Sequence, residues 1–187
     1  MSRLELLDRV EQVARETPRR RAYVEAANGR SIDYGALFDQ VSGLRRIIPA
    51  ANPGDDFIVI LRCPNQVEYA IWFLAILGAG GSAFCVSTEL THAELRELAI
   101  RCGARAIVAE SAAREALKHD IPISWPIDLA LEVAPSAPTP ASDSPGDLLL
   151  ASSGTTGAPK IVRRSAAARR SCLPCSVRER DRMSCRT

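Results

Sequence analysis

No stretch of this 187-residue chain is apolar for long enough to cross a bilayer. Its first 20 residues alternate charge with Leu and Val, which excludes a secretory leader, so the expected compartment is the cytoplasm. Histidine is scarce. His92 stands beside Thr91 at an expected helix start and His119 near an expected helix end, where each reads as a surface residue. No Ser-His-Asp arrangement is suggested. Metal ligands are equally sparse. Cys172 and Cys175 form a Cys-x-x-Cys, but a zinc site needs two more ligands, and only Cys185 and the distant His92 and His119 are on offer. A redox pair normally opens a helix after a strand, and this segment has neither. Metal ligation is therefore not expected. Cys63, Cys85 and Cys102 sit in apolar contexts and read as small core residues.

What is present is ordinary for a globular protein: 47% apolar and 25% charged residues, and a length suited to one domain, or to one domain with a tail. The net charge of +2 conceals a break. Residues 1–162 carry 16 basic and 20 acidic side chains, whereas residues 163–187 carry eight Arg against Glu179 and Asp181. Such a tail could release counterions from a nucleic acid, but it lacks the aromatics that stack on bases, so no nucleic-acid partner is expected. Its mixture of Arg, Ser, Cys and Pro has the look of a GC-rich gene read in a shifted frame. A divergent genuine tail is the other reading.

Along the chain, Leu4, Leu7, Val10, Val13 and Ala14 fall at helical spacing within residues 3–16, and Thr17-Pro18 stops that helix. Asn28-Gly29 between Tyr23–Ala26 and Ser31–Tyr34 predicts a hairpin, followed by a helix from about Tyr34 to Ile48. Phe57–Leu61 is continuously apolar, as strands buried on both faces are. Asn65 with Glu68 predicts a capping box for a helix that is apolar nearly all round and ends at Gly78 and Gly80-Gly81. A strand at 82–86 follows, then a helix capped by Thr91 and Glu94 and stopped by Gly103. Residues 104–109 read as a strand, 112–119 as a short helix and 123–131 as a weaker strand region. Repeated strand–helix alternation gives an α/β class: layered right-handed βαβ units on a largely parallel sheet. The expected divisions are an α/β subdomain over 1–133, a Pro/Ser linker over 134–146, a strand-loop-strand over 147–165 and the atypical tail over 166–187.

The strand-loop-strand carries the chemistry. Leu148–Ala151 runs into Ser152-Ser153-Gly154-Thr155-Thr156-Gly157-Ala158-Pro159-Lys160, and Ile161-Val162 follow. Glycines let backbone N–H groups close on an anion, hydroxyls add donors, and Lys160 adds a compact positive charge. The spacing differs from the common P-loop, in which Gly directly precedes Lys at a helix start. A solvent-exposed linker has similar composition but needs no apolar strand residues on both sides.

Ser153–Lys160 resembles the phosphate-binding signature of the AMP-forming adenylating enzymes, the superfamily of acyl-CoA synthetases, peptide-synthetase adenylation domains and luciferases. The resemblance extends over about residues 1–165. It takes in the hairpin with Tyr34, the strand at 57–61, Pro64-Asn65 and the glycine-ended run Phe73–Gly81, so the expected fold is the first part of the N-terminal domain of these ligases. Two positions depart: Ile161 stands where the family usually has Gly, and Val86-Ser87-Thr88 where most members have Pro and a small residue.

The resemblance implies that Ser152, Ser153, Gly154, Thr155, Thr156, Gly157 and Lys160 hold the β- and γ-phosphates of ATP with Mg2+. It implies a catalytic role for Lys160 at the departing pyrophosphate, a carboxylic acid substrate and coenzyme A as acceptor. Nothing in the chain matches the family's adenine motif, ribose-binding Asp or C-terminal catalytic lysine. The expectation is an N-terminal fragment that does not complete adenylation alone. Two alternatives are a non-catalytic ATP- or pyrophosphate-binding module and one piece of a split enzyme with a partner chain.

Overall fold

The computed structural model describes residues 5–49, 56–134, 146–152 and 160–164. In chain order the elements are α1 (Glu5–Glu16), β1 (Arg21–Val24), β2 (Ser31–Asp33), α2 (Tyr34–Arg45), β3 (Ile58–Leu61), α3 (Val67–Gly78) and β4 (Ser82–Cys85). They continue with α4 (His92–Cys102), β5 (Ala106–Val108), α5 (Ser111–Ala116), β6 (Ile123–Trp125), α6 (Leu129–Glu132), β7 (Leu148–Ser152) and β8 (Lys160–Arg164). Strands β1 and β2 pair antiparallel. The other six form one sheet in the order β6-β5-β3-β4-β7-β8, parallel except for the antiparallel edge strand β8.

A strand apolar at every position needs cover on both faces, and β3 receives it. Val59 and Leu61 join Ala83, Ala106 and Val108 beneath α1, α2, α3 and α6. Ile58 and Ile60 join Phe84, Ile107 and Leu149 beneath α4 and α5. The period-two alternation of a strand thus sorts neighbouring residues into two separate cores. Trp72 on α3 is fully buried, stacks on Trp125, and donates its indole N–H to the Ile127 carbonyl at 2.9 Å. This contact ties α3 to the connection between β6 and α6. The region expected to be a weak strand over 123–131 therefore divides into a strand and a short helix. Pro126 accounts for the division, because it has no N–H to continue the ladder.

The caps of α4 follow the sequence reading. Thr91 and Glu94 form a reciprocal capping box, and Gly103 closes the helix in the left-handed region at φ 69°. The capping box expected at Asn65 and Glu68 is not formed. Helix α3 starts at Val67 behind Gln66, which supplies no side-chain cap. Asn65 accepts instead from the Tyr23 hydroxyl. The cap comes from the hairpin: Glu25 Oε1 accepts from the Val67 N–H at 2.8 Å and from Arg30 Nε at 2.8 Å. Arg30 also donates to both oxygens of Glu68, at 2.7 Å to Oε1. A carboxylate already fixed by a guanidinium outcompetes a neutral amide for the positive end of a helix.

Gly146 enters β7 against the start of β4. A Cβ there would lie 1.8 Å from the Gly81 carbonyl oxygen, a backbone atom that cannot swing aside. Alanine at 146 must push β7 away from β4. Gly146→Ala is therefore expected to lower the thermal unfolding midpoint measurably, and an unchanged midpoint by circular dichroism would contradict the contact.

Arg30 and the Val67 N–H hold the Glu25 carboxyl down at about 2, against an ordinary 4.5. A depressed carboxyl adds stability above its unfolded pKa and loses it as pH falls through the folded one. The stability gap between wild type and Glu25→Gln should be full at pH 6 and shrink between about 4.5 and about 2. Urea midpoints across that range test it; a gap independent of pH would remove the pairing as its cause.

Candidate functional site

Because β3, β4, β5, β6 and β7 run parallel, their C-terminal ends share one edge of the sheet. Ligands of open α/β sheets bind outside such ends. Strand β7 reaches this edge at Ser152, β8 leaves it at Lys160, and the two residues are Cα partners in the antiparallel ladder. The intervening connection therefore departs and returns across a single paired position. Of the residues expected to hold phosphate, Ser152 and Lys160 are placed by their backbone at the edge. Ser153, Gly154, Thr155, Thr156 and Gly157 lie outside the described residues.

The ribbon is fastened at its opposite end. Ala83 N–H donates to the Asp147 carbonyl at 2.8 Å, and Asp147 N–H donates to Ser82 Oγ at 3.2 Å. Ser82 Oγ in turn donates to Asp56 Oδ1 at 3.1 Å. Arg163 on β8 pairs with Asp56 and lies 3.6 Å from Asp147, so one guanidinium bridges the entries to β3 and β7. These contacts set the height of β7 against β4, and with it the point at which Ser152 emerges.

A second arginine organises the same edge from within. Arg62 follows β3 directly and is only 8% exposed, although charged. Its backbone N–H donates to the Val108 carbonyl at 2.9 Å. Its guanidinium pairs with Glu110, donates to the Thr88 carbonyl, and reaches the Leu90 carbonyl at 3.2 Å. One side chain thus joins the segments leaving β3, β4 and β5, including the 86–88 stretch at which the sequence departs from the family pattern. Sequence reading passed over Arg62. The available signal was an arginine directly after four apolar strand residues, with an acid, Glu110, two residues beyond the end of β5.

The thiols at hand are poor nucleophiles. Burial pushes Cys63 up to about 12 and raises Cys85 and Cys102 as well, which disfavours their thiolates. His92 and His119 are exposed. Among the described residues no group of His, Cys, Asp or Glu is arranged to hold a metal ion, and no helix is long and apolar enough to cross a membrane. A hollow of about 500 Å³ lined by Ser111, Arg114, Lys118 and Ser124 lies by α5 and β6, at the other end of the sheet order from β7. The Cys172, Cys175 and Cys185 thiols lie outside the described residues, as do the linker and the tail.

Comparison with known proteins agrees with this architecture. The chain is 29% identical over 151 residues to the sulfoacetate–CoA ligase of Cupriavidus necator, covering 72% of this chain and 30% of that protein. It spans less than a third of the length of the curated relatives it matches. Among solved structures, ATP-bound MatB from Rhodopseudomonas palustris superposes with a TM-score of 0.72 at 22% identity, over 89% of this chain and 35% of that one. The N-terminal subdomain of Klebsiella oxytoca NpsA gives 0.65 at 20% identity, over 86% and 42%. The fold is that of the N-terminal domain of adenylating enzymes. The family model described as "AMP-binding enzyme" matches residues 10–184, and on that match the chain belongs to the AMP-binding enzyme family.

Proposed function

We propose that the chain is the N-terminal part of an ATP-dependent, AMP-forming ligase that activates a carboxylic acid for transfer to a thiol, commonly coenzyme A. The observation that carries this reading is the pairing of Ser152 with Lys160 at the C-terminal edge of a parallel sheet, across a Ser/Thr/Gly connection. That donor set fits a polyphosphate. Neutral N–H and O–H donors surround the oxygens, and one ammonium balances part of their charge. Magnesium would arrive on the nucleotide's own phosphates.

In the whole ligase, a carboxylate oxygen attacks the α-phosphorus of ATP. The bond from the α-phosphorus to the α,β-bridging oxygen breaks, and acyl-adenylate and pyrophosphate form. A thiol then takes the acyl group and AMP leaves. The role proposed for this chain is confined to the first step. Ser152, Ser153, Gly154, Thr155, Thr156 and Gly157 hold the β- and γ-phosphates, and Lys160 neutralises charge as it gathers on the departing pyrophosphate. With no match to the family's adenine, ribose and C-terminal lysine motifs, these 187 residues are proposed to bind ATP without completing adenylation. A module that binds ATP or pyrophosphate without turnover, as its own function, rests on the same observation.

Calorimetric titration with magnesium–ATP tests the site. Wild type should bind saturably, and Lys160→Ala should weaken binding about tenfold or more, as loss of a charge-assisted contact does. Absence of saturable binding at millimolar ATP would reject the site. ATP–pyrophosphate exchange by this chain alone would reject the view that adenylation needs more than these residues.

A further inference from the structure

The two places at which the sequence departs from the family pattern, 86–88 and Ile161, meet in one core. Val86 is buried in the second core with Phe84 and Leu149, and both Leu90 and Ile161 pack against it. Ile161 directly follows Lys160 on β8, and Leu149 lies three residues before Ser152 on β7. The segment leaving β4 therefore shares its packing with both strands that flank the Ser/Thr/Gly connection. It also lies level with them. Cys85 and Leu150 are the last Cα partners of β4 and β7, so Ser87 and Ser152, each two residues on, leave the sheet side by side.

This segment is a turn that scarcely holds itself. Residues 87–89 are exposed, Glu89 N–H donates to Ser87 Oγ at 3.1 Å, and Leu90 N–H only just reaches the Ser87 carbonyl at 3.5 Å. Two of its carbonyls, those of Thr88 and Leu90, are held by Arg62 instead. The arrangement is costly. The guanidinium is buried, and its Nε has no hydrogen-bond partner among the described residues. Glu110 occupies the N-cap position of α5 yet makes no side-chain cap, because its carboxylate goes to Arg62. A buried ion pair adds little stability over apolar side chains of like volume. What the planar guanidinium fork adds is geometry, since it fixes the segments leaving β3, β4 and β5 at set angles to one another.

We propose that Arg62 is a positioning residue for phosphate binding: by holding the 87–90 turn it fixes where Ser152 and Lys160 stand at the sheet edge. The role rests on the phosphate site proposed above. Arg62 acts through the turn and the second core, not through contact with the nucleotide.

Magnesium–ATP calorimetry on the full 187-residue chain tests this, with circular dichroism melts to establish that each variant is folded. Arg62→Met should weaken binding about tenfold. Arg62→Lys keeps a charge facing Glu110 but has no fork to span the two carbonyls. It should also weaken binding, and it decides the matter if the methionine variant fails to fold. Arg96→Met removes the same kinds of contact elsewhere, to Asp120 and to the Ala116 carbonyl, and should leave binding unchanged. Thr88 is the second residue of the turn, where proline pre-sets the backbone. Adding Thr88→Pro to Arg62→Met should therefore restore most of the affinity. In the ATP-free chain, amide hydrogen exchange of β7 should quicken in Arg62→Met while that of β3 and β5 stays as in wild type. Unchanged affinity in the Arg62 variants, no recovery with Thr88→Pro, or exchange that quickens equally in all three strands would overturn the proposal. No saturable binding by wild type rejects the phosphate site and this role together, whereas binding that survives the loss of Arg62 rejects this role alone.

Discussion

The Arg30 guanidinium, set between Glu25 and Glu68, is the interaction on which the arrangement of the first half depends. The two carboxylates are 7% and 4% exposed and would be costly to keep charged without a partner. With Arg30 between them, Glu25 is free to accept from the first N–H of α3, so a separate two-stranded hairpin fixes where the central helix begins. Helix α3 in turn covers β3 and β4, and the rows of side chains on those strands set the register of β7. The position of Ser152 at the sheet edge is the last link in that sequence.

The elements whose local chemistry suffices were legible in the sequence. Asn28-Gly29, the Thr91–Glu94 box, Gly103 and the uniform apolarity of Phe57–Leu61 each act within a few residues, and each gave its element. The Asn65–Glu68 pattern looked equally local and misled, because a carboxylate forty-two residues upstream of Val67 holds the first N–H of the helix and Arg30 holds the Glu68 carboxylate that the box required. The weaker strand region expected over 123–131 holds only over Ile123–Trp125, for a related reason. Its second half is drawn into a short helix where Ala130 is buried and Trp72 holds the Ile127 carbonyl.

The site shows the same division. The phosphate ligand proposed for the loop comes from its composition, because phosphate recognition uses a short run of small donors, and the family resemblance rests on that run. What composition does not carry is the frame beneath it. Arg62 binds carbonyls twenty-six and twenty-eight residues away, and Arg163 reaches an aspartate one hundred and seven residues away. Such long-range use of arginine has no local signature, although each of the two ties together segments on which the edge relies.

The placement of β7 beside β4 also has a kinetic meaning. Strands β3 and β4, and β5 and β6, are each joined by a single βαβ connection, and β5 finds β3 across forty-seven residues, whereas β7 must find β4 across sixty-five, as measured by the Asp147–Ser82 contact. Contacts so distant in sequence carry the largest closure entropy and form late. The β7–β8 ribbon is then the last part of the sheet to assemble and the first to open, so the edge that bears the Ser/Thr/Gly connection can be lost while the two cores around β3 remain folded.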